Sequence, residues 1–462
     1  MRLLALALCV LLPLPVIATE LSFDAAWTQL QQVSDKLKAQ QQQLERANAQ
    51  QESGNDLSLP SINIAGSYTY LEKPIELDLR DLNPLASLNP GSLPPAIGGA
   101  IASIPSSLFV TPFTQQDVFR ASLQALWPIY TGGQVSAAQG ILAAQVAEEQ
   151  QAQLLASREL FTQLVDRYYG AIVTKAVLNT QEQLVVALTE HVSHAKALEQ
   201  QGQIAAVERL NAEVALDNAK VATASARRQV QMASIALDRM LKLSVTPSSP
   251  LFILPQDPSL PRLMELTMTQ HPALKLLAAK EQQAKGLEDM EKGKYYPNVF
   301  LYGNYSLYED DSLMSQVEPD WMVGVGVKIP LVSRDGRSGK VAAAKSAILQ
   351  ARYTQAQTRE DLSLLLDQTY RQMEQAREEY QSLATTESLA KENLRLRELA
   401  FNQGLSTSLE RVDAQLGLTS VMTKRLAARY RYIQAYAHLM SISGQLDEFI
   451  ARARVLEETN AN

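Results

Sequence analysis

The sequence predicts a mainly α-helical protein with a smaller β component, in which long helical hairpins are joined to four β-strands. The first observation behind this fold class is an internal duplication, because 74 positions separate Pro128 from Gly202 and again Pro330 from Gly404. The second is that no further proline lies inside either stretch. The third is an alternating apolar and polar segment before each proline. Each copy is therefore expected to be one structural unit.

The two proline-free stretches each predict a very long helix followed by a turn and a return helix. The first long helix is expected at 134–201 and the second at 337–402. A helix of about 68 residues is about 100 Å long, several times the usual globular length. Apolar residues recur along it with the loose spacing that suits coiled-coil packing. The turns are expected at the two glycines, and the return helices at 205–243 and 405–450.

Four segments show the period of two that is typical of a strand with one apolar and one polar face. They are 61–71, 118–127, 298–308 and 321–329. In the last of these, one face carries Trp321, Val323, Val325, Val327 and Ile329. The strands of the first copy are separated by residues 72–117, which are rich in proline and predict a long loop. The strands of the second copy are separated by a short acidic loop at 309–320.

The remaining segments complete the domain organisation. Met1–Ala18 carries Arg2 and an apolar run, and it is expected to be a signal peptide. The only cysteine, Cys9, lies inside it. The predicted organisation is a signal peptide at 1–18, a first repeat at 19–243 that begins with a helix near 21–52, a proline-rich linker at 244–261, a second repeat at 262–455 that begins with a helix near 262–292, and a flexible tail at 456–462.

Composition and motifs exclude several functions. A net charge of -7 argues against nucleic-acid binding. No apolar run after residue 18 is long enough for a membrane-spanning helix. A mature chain without cysteine has no thiol nucleophile and no cysteine-ligated metal. Because no G-x-S-x-G, Walker or Rossmann pattern occurs either, we expect neither catalysis nor a cofactor.

The predicted strands match those of an outer-membrane β-barrel in length and in alternation. Four strands cannot close a barrel, and an open sheet edge is not tolerated in lipid. The strands must then be pooled between copies of the chain, since the smallest barrels have about eight strands. The alternative is a soluble two-layer sheet packed on the helices. The helices that flank each strand pair on both sides favour the barrel.

With these features in place, the chain resembles the TolC family of outer-membrane efflux proteins. The resemblance covers nearly all of the mature chain, through the strand–proline–helix junctions, the duplicated helix–glycine–helix hairpins and the linker between the halves. It implies a homotrimer with a twelve-stranded transmembrane barrel and a hollow periplasmic tunnel of long helical hairpins. It also implies a periplasmic adaptor and an inner-membrane transporter as partners, outer-membrane lipid around the barrel, and a Gram-negative-type envelope.

The resemblance further implies a constriction at the helical tips. Family members place acidic residues six and nine positions after the second tip glycine, where this chain has Glu410 and Asp413. Three copies would give six carboxylates in a narrow mouth, which favours cations. Glu410 also has a local explanation, because Thr407-Ser408-Leu409-Glu410 has the spacing of a capping box. The two roles are compatible, and Asp413 has no such local explanation.

Other tip residues depart from the family pattern. Glu208 matches an acidic position that in some members pairs with an arginine two residues after the second glycine, where this chain has Ser406. Phe401 lacks the hydroxyl that such a lock uses. Arg209 and Arg411 are candidates to replace the arginine, although exposed helix arginines are more often solvated ion-pair partners. The residues expected to contact the adaptor are Gly202, Gly404, Leu405 and Ser406.

Two further groups of residues are candidates for a structural or a metal-binding role. Pro128, Gly132, Gly133, Pro330 and Gly336 are expected to form the strand–helix junctions. His191 and His194 lie three positions apart on one helix and are a weak metal candidate, because no third ligand is nearby. The sequence therefore predicts an outer-membrane export channel for small molecules or proteins. The alternative is a non-conducting periplasmic coiled-coil structural or adhesion protein, which needs no alternating strands.

Overall fold

The computed structural model describes residues 19–79, 87–310 and 318–461. The expected signal peptide, with Cys9, lies outside the described residues, as do parts of both loops between the strands. The described helices are α1 Phe23–Val33, α2 Asp35–Asn55, α3 Pro95–Ala102, α4 Gln134–Gln200, α5 Ala206–Leu241, α6 Leu260–Gln270, α7 Pro272–Gly293, α8 Arg337–Asn402, α9 Ser408–Ser443 and α10 Leu446–Ala461. The described strands are β1 Thr19–Leu21, β2 Ser61–Tyr70, β3 Glu76–Asp78, β4 Val110–Pro112, β5 Asp117–Tyr130, β6 Val245–Pro247, β7 Asn298–Glu309 and β8 Trp321–Lys328. The predicted fold class is confirmed.

The second return helix differs from its predicted bounds. Helix α9 ends at Ser443, because Gly444 adopts the left-handed conformation with φ 79° and the Gln445 amide bonds back to the Met440 carbonyl at 2.7 Å. Helix α10 then begins at Leu446 and continues to Ala461. Residues 456–461, which the sequence analysis expected in a flexible tail, continue this helix. Residues 446–461 form a helix of their own.

Each of the two helices that begin a repeat is interrupted once. Helices α1 and α2 meet at Ser34, whose hydroxyl accepts a hydrogen bond from the Leu37 amide. Helices α6 and α7 meet at His271, whose ψ of 127° is extended. His271 precedes Pro272, and a proline disfavours the helical conformation of the residue before it. The sequence predicted one helix near 21–52 and one near 262–292, and in the structure each is divided into two.

The structure divides into two compact units, which are described separately. The first comprises the described parts of Met1–Ala47, Val146–Lys280 and Gln350–Asn462. Its core gathers aromatic rings around Phe23, which packs on Phe161, Tyr168, Tyr169 and Phe449 at centroid distances of 5.2–5.6 Å. Such ring pairs stabilise a core beyond their buried area.

The proline-rich segment between the repeats belongs to this core. Strand β6 pairs in parallel with β1, in the register Thr19 to Val245. Leu251, Phe252 and Leu254 are buried in the same cluster. The segment predicted as a linker, 244–261, therefore joins the repeats and also packs against both of them.

The second unit comprises Asn48–Gln145 and Glu281–Leu349, again in their described parts. Its four-stranded antiparallel sheet has the order β2-β5-β7-β8. The register places Asn63, Gln124 and Asn304 in one cross-strand row, and Ile64, Leu123 and Tyr305 in the next. Because successive side chains of a strand point to opposite faces, the sheet has one polar and one apolar face, as predicted.

Two glycines of β8 lie beneath aromatic rings of β7. A Cβ added to Gly324 would lie 2.5 Å from the Tyr302 ring, and one added to Gly326 would lie 2.4 Å from the Phe300 ring. Any side chain there would displace the ring. The alternation of valine and glycine in β8 therefore reflects cross-strand packing.

The segment predicted as a long loop contains some regular structure. Strands β3 and β4 form a short antiparallel pair, with Leu77 opposite Thr111. Helix α3 begins after Pro94 and carries mainly small and apolar residues. Within the described residues, no helix combines the length and the hydropathy needed to span a membrane.

Candidate functional site: the helical tips

The turns that end α4 and α8 have the same backbone hydrogen bonds. Gly202 has φ 70° and Gly404 has φ 73°. In the first turn, the Gln203 amide bonds to the Leu198 carbonyl at 2.9 Å and the Gly202 amide to the Glu199 carbonyl at 2.8 Å. The second turn repeats both bonds from Leu405 and Gly404. Both turns are Schellman motifs, in which glycine adopts the left-handed conformation at little cost.

The start of α9 is capped by its own side chains. The Thr407 hydroxyl accepts a hydrogen bond from the Glu410 amide at 3.2 Å, and the Glu410 carboxylate accepts one from the Thr407 amide at 3.2 Å. The Glu410 carboxylate also accepts a hydrogen bond from the Ser406 hydroxyl, and it forms an ion pair with Arg397 at 3.0 Å. These donors, Ser406 first, hold the pKa of Glu410 below its usual value. The capping box that the sequence predicts for Glu410 is therefore present in the structure.

Glu208 of the first tip also caps α9. Its carboxylate accepts a hydrogen bond from the backbone amide of Ser408 at 2.7 Å, across 200 positions of sequence. A carboxylate at a helix N-terminus satisfies a free amide and interacts favourably with the helix dipole. The partner of Glu208 is thus a main-chain amide, where the family pattern suggested an arginine.

A buried histidine adds a second contact to the same residue. Nε2 of His191 on α4 lies 2.7 Å from the Ser408 hydroxyl, and both side chains are buried. The Phe401 ring packs edge-on against His191 at 5.0 Å. Burial, followed by the charge of Arg411, lowers the pKa of His191 from 6.5 to about 4, so the imidazole is neutral at pH 7. In the described chain, no group of three candidate ligands could hold a metal ion, and His191 instead joins α4 to α9.

The two arginines considered as replacements pair with glutamates near their own turns. Arg209 binds Glu199 and Glu213, each at 2.6 Å. Arg411 binds Glu398 at 2.7 Å. The Arg209–Glu199 and Arg411–Glu398 pairs each join a return helix to the long helix before it, whereas Arg209–Glu213 lies within α5. Neither arginine pairs with Glu208 in the described residues. These ion pairs therefore stabilise each hairpin separately.

Asp413 differs from Glu410 in its surroundings. It is exposed and has no hydrogen bond or ion pair within the described residues. It lies beside a groove of about 680 Å³ between α5 and α9. Apolar side chains line much of the groove, including those of Val214, Leu409 and Leu416. Among the tip acids, Asp413 is thus the one whose charge remains available to a solute.

The strand–helix junctions belong to the second unit. Gly132 and Gly133 have φ 65° and 83°, and Gly336 has φ 62°. A Cβ on Gly132 would lie 2.4 Å from the Gly293 carbonyl oxygen, so the close approach of α7 requires glycine there. Pro128 lies inside β5, next to a register shift, and not after the strand as predicted. The Pro330 carbonyl accepts a hydrogen bond from Arg337, the first residue of α8.

The structure thus brings Glu208, Ser408 and Glu410 together at one helix N-terminus, while Asp413 lies one turn further along α9. Sequence reasoning missed the roles of His191 and Ser408. Their sequence separation of 217 positions carries no local signal, because the contact depends on the packing of two hairpins. The duplication alone indicated that the two tips have equivalent turns.

Comparisons with known proteins give the same architecture. A family model described as outer membrane efflux protein matches residues 27–241 and 263–445, which is most of the chain. The outer membrane protein VceC from Vibrio cholerae is similar in structure, with a TM-score of 0.73 at 13% identity, over 91% of this chain and 96% of that chain. The CmeC outer membrane channel from Campylobacter jejuni gives 0.73 at 14% identity, over 94% and 89%.

The open state of the MtrE outer membrane channel from Neisseria gonorrhoeae is also similar, with a TM-score of 0.72 at 16% identity, over 92% of this chain and 89% of that chain. At these identities the likeness shows the fold alone. No curated protein matches the sequence.

Proposed function

Because the chain belongs to the outer membrane efflux protein family, we propose that it is the exit channel of an export system that also contains a periplasmic adaptor and an inner-membrane transporter. The chain is an outer-membrane export channel, with its helical part in the periplasm, and members of this family are channels rather than enzymes. The alternative of a non-conducting periplasmic rod or adhesion protein is not favoured.

The exposed apolar surface of the tips is the observation that carries the proposed adaptor contact. Leu405, directly after the second tip glycine, is 78% exposed, and Val207, Leu210 and Leu409 are exposed beside it. Gly202 and Gly404 leave open space, since a Cβ on either would meet no atom within 4 Å. A surface of this kind suits the apolar stripe of a partner's helical hairpin. We propose that Gly202, Gly404, Leu405 and Ser406 form this contact.

The sheet supports assembly as a homotrimer. Within the described residues, β2 and β8 are the outer strands of the β2-β5-β7-β8 sheet, and each has one unpaired edge. Unpaired strand edges are not stable in lipid, so β8 of one copy must pair with β2 of the next. Three copies then close twelve strands. Chemical cross-linking of the protein in membranes should produce bands up to a trimer, and a ladder that stops at dimers would contradict the assembly.

In vivo photo-cross-linking tests the adaptor contact. A photoreactive amino acid at Leu405 should capture a periplasmic protein that mass spectrometry identifies as an adaptor. Tyr353 is also exposed and lies on α8, so the same probe there serves as the matched control and should not capture the adaptor. If Leu405 yields only cross-links between copies of this chain, the proposed adaptor contact is wrong.

A further inference from the structure

The β8–α8 junction, residues 329–336, exposes its apolar side chains to an unusual degree. Val332 is 93% exposed and Leu331 is 85% exposed, the two highest values among the large apolar side chains of the described residues. Ile329, just before them, is also exposed. A contiguous apolar surface of this kind is typical of a site that contacts a partner or a membrane.

The position of the β8–α8 junction is fixed by its neighbours. Arg337 donates hydrogen bonds to the carbonyls of Lys294 and Pro330, each at 3.1 Å. Its guanidinium carbon also lies 4.6 Å from the centre of the Tyr295 ring, a favourable cation–π contact. The junction is thus bound to the turn between α7 and β7. Its apolar side chains are exposed although its backbone is held in place.

Several cations lie around the same junction. The Ser333 hydroxyl is the largest cause of a lowered pKa of Asp335, and the charges of three cations lower this pKa further. These cations are Lys340, Lys294 and Arg337. Arg334 directly precedes Asp335 in the chain and is exposed. Four basic residues therefore lie close to the single acid of the junction.

The positive charges of this cluster exceed the negative charges. Lys294 pairs with Glu291 at 2.6 Å, so its charge is balanced. Asp335 balances one further cation. Within residues 19–79, 87–310 and 318–461, neither Arg334 nor Lys340 forms an ion pair. A local excess of positive charge attracts anionic groups.

The β8–α8 junction lies where the sheet leaves the membrane. The apolar face of β8 carries Val323, Val325 and Val327, which are exposed and lead directly to Ile329. This face meets lipid, while the helices that follow the strands lie in the periplasm. The end of β8 is therefore at the periplasmic boundary of the membrane, where the acyl chains adjoin the phosphate groups.

The equivalent junction of the first repeat lacks these charges. It exposes Ile129 and Tyr130, in the two positions that follow Pro128. Residues 131–134 after them are Thr-Gly-Gly-Gln, without a charged side chain. A strand of this protein can thus turn into a long helix without cations. The charges of the β8–α8 junction are therefore not required by the turn itself.

From the exposed apolar pair, the uncompensated cations and their place at the membrane boundary, we propose that the β8–α8 junction binds an anionic phospholipid of the periplasmic leaflet. Leu331 and Val332 contact the acyl chains, and Arg334 and Lys340 bind the phosphate group. A soluble anion would leave the apolar pair in water, so the occupant is a lipid. The site goes beyond the proposed export function, since it requires the membrane but neither the adaptor nor the transporter.

Native mass spectrometry of the assembled protein, purified in detergent, measures this binding. The protein is titrated with phosphatidylglycerol, which is anionic, or with phosphatidylcholine, which has no net charge. We expect saturable binding of phosphatidylglycerol that is at least about fivefold tighter than that of phosphatidylcholine, because one cation near an anionic lipid strengthens binding by about this factor. Added salt should reduce the preference.

A variant of the two uncompensated cations tests the site directly. Arg334→Gln/Lys340→Gln should bind the two lipids equally. Arg228→Gln/Arg359→Gln is the matched control, because it removes the same charge from exposed arginines that form no ion pair in the described part of the chain, and it should keep the preference. A parent without the preference, a junction variant that retains it, or a control that loses it overturns the proposal.

A nitroxide attached to Val332→Cys shows what covers the apolar pair. The only cysteine of the chain, Cys9, lies in the expected signal peptide, so the label attaches at one position. In vesicles of phosphatidylcholine and phosphatidylglycerol, the label should collide more with oxygen, which dissolves in acyl chains, than with a water-soluble nickel chelate. Arg359→Cys on α8 is the control and should show the reverse order.

Two results with the labelled protein overturn the proposal. A label at Val332→Cys that neither reagent reaches indicates a protein contact, such as a second copy of this chain. A label that the nickel chelate reaches more easily indicates water.

If Arg334→Gln/Lys340→Gln does not assemble, the parent and the labelled protein decide the question. A salt-sensitive preference for phosphatidylglycerol, together with access of oxygen to the label, supports the site. The absence of either one overturns it.

Discussion

The carboxylate of Glu208 accepts a hydrogen bond from the backbone amide of Ser408 at 2.7 Å, so that an acid from the first repeat caps a helix of the second. The hydroxyl of the same serine contacts His191, which lies on the long helix of the first repeat. Ser408 is thus bound through both its main chain and its side chain. This residue connects the two tip hairpins within one protomer.

Removing the Glu208 carboxylate should loosen the start of α9. We expect Glu208→Ala to lower the free energy of unfolding by about 1–2 kcal/mol, the usual cost of losing an N-terminal cap. Hydrogen exchange of the Ser408 amide should also become faster, because this amide loses its acceptor. Mass spectrometry of a peptide that contains Ser408 measures this change. Glu190→Ala, which alters an exposed glutamate of α4, is the control, and equal exchange in both variants would refute the capping role.

Glu410 and Asp413 should differ in their effect on stability, although both are expected to attract cations. If both ring the mouth of a trimeric tunnel, six carboxylates attract cations there. Because Glu410 also caps α9, we expect Glu410→Ala to lower the stability of the protein, whereas exposed Asp413→Ala should change stability little. The double variant should lose most of the cation selectivity and divalent-cation block of the channel. Planar-bilayer recordings measure both, and a double variant that retains both would contradict the acidic ring.

His191 should make the protein less stable in acid. The folded protein protonates this side chain only near pH 4, whereas the unfolded chain does so near its usual pKa of 6.5. The unfolded state therefore binds more protons between these values, and the free energy of unfolding decreases as pH falls through this window. The full effect is roughly 3 kcal/mol. Buried His271 has a similar pKa of about 4 and adds its own acid sensitivity. The contribution of His191 is therefore the difference in pH dependence between the parent and a variant that lacks His191.

Denaturant unfolding of the parent and of His191→Gln from pH 7 to pH 4 measures this contribution. The variant should lose less stability across the window than the parent, whatever its stability at pH 7. The groups that act on the imidazole are Arg411 and His194, which lower its pKa, and Glu398 and Ser408, which raise it. An unchanged dependence in His191→Gln would show that this histidine does not titrate as inferred.

A charge on the apolar face of β8 should impair insertion into the membrane. Val325 is 64% exposed in the single chain and lies opposite Leu301. An arginine at the bilayer midplane costs roughly 2–4 kcal/mol, so Val325→Arg should reduce the amount of assembled protein in outer-membrane fractions. Met322→Arg lies on the other face of the same strand and is the matched control. If Val325→Arg inserts normally while Met322→Arg does not, the two faces have been assigned in reverse.

The sequence by itself determined the repeats, the long helices and the strands. These features depend on local patterns: α8 coincides with a proline-free stretch and ends at Asn402, two residues before Gly404, while β8 coincides with the alternation that begins at Trp321. The turn glycines were also predictable, since each lies where a helix must end and only glycine adopts a positive φ easily. The capping role of Glu410 followed from a spacing of three residues.

The tertiary structure alone decided which distant groups meet. Glu208 caps Ser408 and His191 contacts the same residue because two hairpins pack together, and no spacing in the chain records a contact across about 200 positions. The break at His271 is different, because it has a local cause: Pro272, which can be read from the sequence, disfavours the helical conformation of the residue before it. Local periodicity encodes elements, whereas pairing and burial are properties of the packed chain.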